Sequence, residues 1–369
     1  MIKKIILKMI QLRQQIKSNY NKSINWIVDA LEPDWLYKYR VLNSPRSKKL
    51  KQLAEIRGES IQQILDKLPK SVIRNPPRKF NKITRYPIGV DFTEAGLKDG
   101  LGYVKLANGR IFYGHPSIEY YRNVYAGIQD LVSPNLTPDS YRVAMDVAAR
   151  YLGGDNSNYG WYDQQLLPGA GGVIVEVGAY LGHKTIRFHD QLVGPTGKIL
   201  AIEIMPQNVE ILSRNVQENG LSDSINVVWS GVWSSRGEQV VRGKGFQRNS
   251  LVILDEQNLP EVMTVPTDTL DNILENWGVE PIDFMDIRTN GAEVEVLRGL
   301  DKMLDRVKVI YIATRFSSGG ETTYNQCLQI LRERGCVILP HTGKKAIYAV
   351  TAKFAHLYSH IKKKKKIKS

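Results

Sequence analysis

From Gly171 onward, short β-rich apolar runs alternate with stretches of helical periodicity, and no other feature constrains the fold as strongly. "GGVIVEVG" (171–178) is one apolar run and "GKILAIEIMP" (197–206) the next, with the helical pattern "HKTIRFHDQL" (183–192) between them. "NVEILSRNVQEN" (208–219) predicts a helix, "INVVWSGVW" (225–233) a third strand, "IDFMDI" (282–287) a fourth and "KVIYIAT" (308–314) a fifth. "YNQCLQILRERG" (324–335) predicts a helix, and "CVILPHT" (336–342) with "KAIYAVT" (345–351) an antiparallel closing pair. Such alternation implies an α/β fold: three layers, Rossmann-like, with a mainly parallel sheet covered on both faces and an antiparallel closing strand. Ligands of such sheets bind beyond the carboxyl ends of the strands, at the switch point.

The first strand end carries "VEVGAYLGHKT" (175–185). Gly178 permits a tight turn and close backbone approach, and Gly182 lets the next helix start near a ligand. Glu203 ends the second strand, where a carboxylate can accept both ribose hydroxyls of a nucleoside. The glycine pattern alone also fits close packing. With an acid about twenty residues later it describes a nucleoside site, without the full G-x-G-x-x-G dinucleotide fingerprint. Glu176, before the glycines, can sit near an ammonium and so suits a zwitterionic aminoacyl ligand.

The succession "VEVGAYLGHKT", "KILAIEIMPQNVEILSRNVQENG", "VPTDTLDNIL", "IDFMDI" and "NGAEVEVLRG" resembles the FkbM family of S-adenosylmethionine-dependent methyltransferases, over roughly residues 171–315. The resemblance implies a class I methyltransferase fold, S-adenosylmethionine as cofactor, and O-methylation of a polar acceptor such as a sugar or glycan. It implies that Glu176, Gly178, Ala179, Gly182 and Glu203 contact the cofactor, and that Ser230 and Gly231 lie near the adenine. Trp229 or Trp233 would either stack on that adenine or fill the core.

The chain departs from the family at the fourth strand end. Where members read K-I-D-V-E-G-A-E, this chain reads "DIRTNGAE" (286–293), and the fifth strand ends "IATRF" (312–316) in place of an acid. Arginine stays protonated and cannot act as a base. One expectation is therefore an anionic acceptor clamped by Arg288 or Arg315, with His183, Asp286 or Glu293 as base. The plainer alternatives are a structural ion pair of Arg288 with Asp286 or Glu293, and a partly exposed helix-cap role for His183. No metal site is expected, because a divalent cation needs the acids that Arg288 displaces. The alternative to an enzyme is a methyltransferase fold kept as an interaction module.

The length of 369 residues allows about two domains. The expected divisions are a basic helical region and linker at 1–90, a hairpin and helical cap at 91–160, the methyltransferase-like domain at 161–355 and a lysine-rich tail at 356–369. "LGYVKLANGRIFYG" (101–114) predicts a hairpin turning at Asn108-Gly109. The formal charge of +14 sits at the ends: +6 in residues 1–25, +8 in 26–90 and +6 in the last nine, leaving −6 for 91–360. That balance argues against a nucleic-acid groove in the main domain and lets the termini meet an anionic membrane surface. Residues 1–17 carry apolar positions at helical spacing, which fits either packing or a membrane surface. With two cysteines, no long apolar span and no signal-peptide pattern, the expected location is cytoplasmic, peripheral to a membrane if the termini dock. Oligomeric state is left open.

Overall fold

The structure, a computed structural model, describes residues 89–153, 166–243, 249–254, 259–339 and 346–358, with Ser60, Gln63 and Pro87 besides. The N-terminal amphipathic stretch, most of the proline-rich linker and the lysine tail lie outside the described residues. The chain divides into two compact units, Met1–Trp161 and Tyr162–Ser369. Among the described residues no helix is long and apolar enough to cross a membrane.

In the first unit, β1 (Phe92–Lys98), β2 (Leu101–Leu106) and β3 (Ile111–Gly114) form an antiparallel sheet in that order. The β2–β3 hairpin is the one predicted around Asn108-Gly109. Gly109 has φ +85°, Leu106 N–H donates to the Arg110 carbonyl at 2.8 Å, and Asn108 Oδ1 accepts from Arg110 N–H at 3.1 Å. Strand β1 was not expected, because only Phe92 of its seven residues is buried and its pattern gives no clean alternation. Helices α1 (Glu119–Ala126) and α2 (Tyr141–Asp146) follow. Helix α2 lies so close to β2 that a Cβ on Gly102 would stand 3.1 Å from a Val143 methyl.

The second unit is the expected α/β sheet. Its elements run β4 (Val173–Val177), α3 (His183–Phe188), β5 (Lys198–Glu203), α4 (Pro206–Glu218), β6 (Ile225–Trp229), β7 (Gly231–Val232), β8 (Gly237–Arg242) and β9 (Glu261–Asp268). They continue through α5 (Leu270–Trp277), β10 (Ile282–Ile287), α6 (Glu293–Arg298), β11 (Val307–Ile312), β12 (Ser317–Ser318), β13 (Glu321–Thr322), α7 (Thr323–Glu333), β14 (Val337–Leu339) and β15 (Ile347–Val350). The main sheet has the order β14-β15-β11-β10-β4-β5-β6. Strands β4, β5, β6, β10 and β11 are parallel, while β15 runs antiparallel between β11 and β14. The chain winds outward from β4 to β6, then returns to build β10 and β11 on the other side. The switch point is therefore between β4 and β10.

The two faces of the sheet differ. Val175, Val177, Leu200, Ile202, Met285, Ile287, Ile310 and Ile312 pack with apolar residues of α5, α6 and α7 into one continuous core. Each such side chain contributes about 1.5–3 kcal/mol when fully buried. The alternate residues Glu176, Phe284, Asp286 and Tyr311 turn to the other face, where Phe188 of α3 meets Phe284 at 6.4 Å between ring centroids. A period of two thus places the ionisable residues of β4 and β10 together under α3.

The separate sheet β7-β9-β8 was not expected. Proline inside "EVMTVPTD" argues against a central strand. It is tolerated because β7 pairs only with Thr267 and Asp268, so Pro266 faces no neighbour on that side.

Candidate functional site

The carboxyl ends of β4, β5 and β10 carry most of the residues singled out by the sequence. The loop after β4 is shaped by its glycines. Gly178 has φ +91°, and a Cβ there would stand 2.4 Å from the Arg288 carbonyl oxygen, a backbone atom that cannot retreat. Gly182 has φ +79° and leads directly into α3; a Cβ there would meet only the end of the Leu212 side chain, at 2.3 Å. Ala179 is buried, and its N–H and that of Gly178 both donate to the Ile202 carbonyl. The loop is thereby tied to β5.

Glu203 closes this arrangement. Its Oε2 accepts from the Tyr180 N–H at 2.8 Å, and its Oε1 accepts from the Met205 N–H at 3.1 Å and from Asn208 Nδ2 at 3.2 Å. Burial pushes its carboxyl above the usual range, and the Met205, Tyr180 and Asn208 donors offset part of that rise. The Ile204 backbone N–H is a fourth donor to this carboxylate, so a ribose hydroxyl would share or replace one of these contacts. Tyr180 delivers its N–H from a left-handed backbone, φ +58°, which non-glycine residues seldom adopt. Trp229 is the Cα partner of Glu203 on β6; it is 47% exposed and its Nε1 donates to the Ile204 carbonyl at 2.9 Å. Ser230 N–H donates to the Glu203 carbonyl and its hydroxyl to the Gly231 carbonyl. Gly231 starts β7, where a Cβ would press on a Thr267 methyl at 2.7 Å. Trp233, in contrast, packs into the core beside Met205 and Val265.

Beside this lies a cluster of four charges. Glu176 and Asp286 are direct partners across β4 and β10, at 1% and 0% exposure. Two buried carboxylates at such a position require cations. Lys184 of α3 supplies one, with Nζ 2.8 Å from Glu176 Oε1 and bonded to Asp286 Oδ2. Arg288 supplies the other: its Nε lies 3.0 Å from Asp286 Oδ1 and its guanidinium sits 4.7 Å over the Tyr311 ring. Thr185 Oγ1 donates to Glu176 Oε2 at 2.7 Å. Burial pushes the Glu176 carboxyl up, and Lys184 pulls it back.

These contacts revise several expectations. The ammonium beside Glu176 belongs to Lys184, so Glu176 is a structural partner in this conformation. Arg288 takes the ion pair with Asp286, the plainer of its two expected roles. His183 is 1% exposed rather than a partly exposed cap residue, because the whole first turn of α3, through Lys184 and Thr185, is buried. Glu293, 0% exposed at the start of α6, accepts the Gly291 N–H with both oxygens at 3.0 and 3.1 Å. Burial raises its pKa to about 7 against the pull of those backbone donors. That contact holds the turn at Asn290 (φ +53°) and Gly291 (φ +110°), and Asn290 Nδ2 donates to the Asn249 carbonyl. Asp286, Glu293 and His183 are thus brought to the strand ends but enclosed by protein. Arg315 is exposed beyond β11. Among the described residues no cluster of His, Cys, Asp or Glu could hold a metal ion.

Lys184, Tyr180 and Asn208 were missed. The signal for Lys184 was present: an acid at 286, where relatives carry lysine, demands a cation from elsewhere.

No curated protein matches the sequence. Among solved structures, methyltransferase FkbM from Methylobacillus flagellatus aligns at 14% identity and a TM-score of 0.35, over 57% of this chain and 54% of that one. Aeropyrum pernix fibrillarin with bound S-adenosyl-L-methionine aligns at 15% identity and a TM-score of 0.33, over 71% of this chain and 100% of that one. M. capricolum TrmK in complex with S-adenosyl-homocysteine aligns at 14% identity and a TM-score of 0.32, over 52% and 67%. Residues 176–338 match the family model of the methyltransferase FkbM domain.

Proposed function

We propose that this domain binds S-adenosylmethionine and transfers its methyl group to an oxygen of a polar acceptor, a sugar, glycan or similar metabolite. The observation that carries the reading is the Glu203 carboxylate at the end of β5, facing the glycine loop through the Tyr180 N–H. That arrangement suits a nucleoside, with Glu203 on the ribose, the loop backbone close to the aminoacyl part, and Trp229 with Ser230 at the neighbouring strand end for the base. The cofactor would supply an electrophilic methyl group. The chain would supply orientation, which accounts for much of the acceleration available to an in-line displacement.

The test is calorimetric titration of the full chain with S-adenosylmethionine and S-adenosylhomocysteine, beside Glu203→Ala and Glu203→Gln variants checked for folding. Saturable binding that is weakened at least tenfold in both folded variants supports the reading. Absence of heat and of thermal stabilisation at millimolar ligand would remove it.

A second reading is favoured by the enclosure of Asp286 and Glu293, which leaves the acids of β10 and α6 bound by protein groups. In it the fold serves as an interaction module, and the basic ends of the chain dock on an anionic membrane surface. Salt-sensitive binding to vesicles containing phosphatidylserine, lost on removing residues 361–369, would support it. Retention of no protein on such vesicles at low salt would count against it.

A further inference from the structure

We infer that the oxygen methylated is an ionised one, a carboxylate of an acidic acceptor, rather than a neutral hydroxyl. The inference rests on the S-adenosylmethionine reading above.

The acids at the switch point are committed to the protein. Glu176 is held by Lys184 and Thr185, Asp286 by Lys184 and Arg288, and Glu293 by the Gly291 N–H. A base for a hydroxyl acceptor must come within about 2.6–3.2 Å of the proton it removes, directly or through one water. These three carboxylates sit behind their donors and are enclosed by protein.

What the adjacent strand ends present instead are guanidinium groups. Arg288 follows β10, braced by Asp286 and the Tyr311 ring. Arg315 stands exposed three residues beyond the end of β11, and the two turns are bonded through Ala313 N–H to the Ile287 carbonyl at 3.0 Å. The same turns carry two buried hydroxyls, Thr289 Oγ1 and Thr314 Oγ1, which have no hydrogen-bond partner among the described residues. Arginines and hydroxyls carried on two adjoining turns are groups of the kind that recognise a carboxylate.

The reaction then needs no base. A carboxylate oxygen attacks the sulfonium methyl carbon with a lone pair. The new O–C bond forms as the C–S bond breaks, and its electron pair goes to sulfur. A cation and an anion become a neutral thioether and a methyl ester, and no proton moves. A hydroxyl acceptor would have to lose its proton in or after the same step.

The full-chain protein saturated with S-adenosylhomocysteine is titrated with sodium glucuronate, with the methyl ester of glucuronic acid and with glucose. Glucuronate is expected to bind, at least tenfold more weakly in Arg315→Gln, and the two neutral sugars not to bind. Tritiated S-adenosylmethionine is then supplied with glucuronate, and the label should be released by alkali as volatile methanol. Equal binding of the neutral sugars, no saturable binding of glucuronate, no transfer to it, or alkali-stable label would each overturn the inference. Failure of S-adenosylhomocysteine itself to bind would instead remove the reading beneath it.

Discussion

Glu176 and Asp286 face each other across β4 and β10 as two buried carboxylates, and Lys184 from α3 bonds to both. With Arg288 the formal charges of the group balance. The cation that these two acids share stands on the helix above the strands and not on a strand. Parallel register makes this possible: β4 and β10 align residue 176 with 286, and α3 begins directly over them.

Lys184→Met should therefore destabilise the fold by about 3–5 kcal/mol, because it leaves two carboxylates buried without their shared cation. The double variant Lys184→Met/Asp286→Asn should lose less than the sum of the single changes. Urea unfolding of the four proteins measures this, and strict additivity would mean the contact carries no coupling.

Lys308→Met is the matched control at the opposite end of β10. Lys308 Nζ lies 2.6 Å from Asp283 Oδ1, and Asp283 also accepts the Val173 N–H at 2.8 Å. Its loss should cost stability, about 1 kcal/mol for a partly buried pair. S-adenosylhomocysteine affinity should stay unchanged in Lys308→Met and fall in Lys184→Met, as read by calorimetry on the folded fraction.

Glu293 gives the fold a pH dependence. Its pKa rises from 4.5 in the unfolded chain to about 7 in the fold. The stability it contributes is fully present below about pH 4.5 and is lost as pH rises to about 7, a change of about 3 kcal/mol. Glu293→Gln should abolish that slope, so the difference between the two proteins should shift steadily across this window. Parallel stability curves would refute the assignment.

The two glycines of the loop should respond differently to alanine. Gly178→Ala sets a Cβ 2.4 Å from a backbone carbonyl at positive φ and should cost at least about 2 kcal/mol, with no simple rescue. Gly182→Ala meets only the tip of Leu212, so its added cost should be smaller in a Leu212→Ala background, which is itself less stable because Leu212 is buried. Thermal denaturation of the variants decides between these outcomes.

Periodicity and punctuation by themselves determined the layers. Apolar runs of five or six residues between helical patterns can be buried only as a covered, mainly parallel sheet, and "CVILPHT" with "KAIYAVT" could close it only antiparallel. The hairpin at Asn108-Gly109 was equally local. Strand β1 was not legible because its residues lack clean alternation; β9 alternates from Met263 to Thr267 but carries Pro266, which is acceptable only where no neighbour needs an N–H. The glycine loop and Glu203 could be named from spacing. Only the tertiary structure decided that Lys184 answers Glu176 and Asp286, that Arg288 is braced by Asp286, and that His183 and Glu293 are enclosed. Burial and pairing of charges depend on which strands become neighbours and in what register, and residues 102 or 110 positions apart carry no local trace of it.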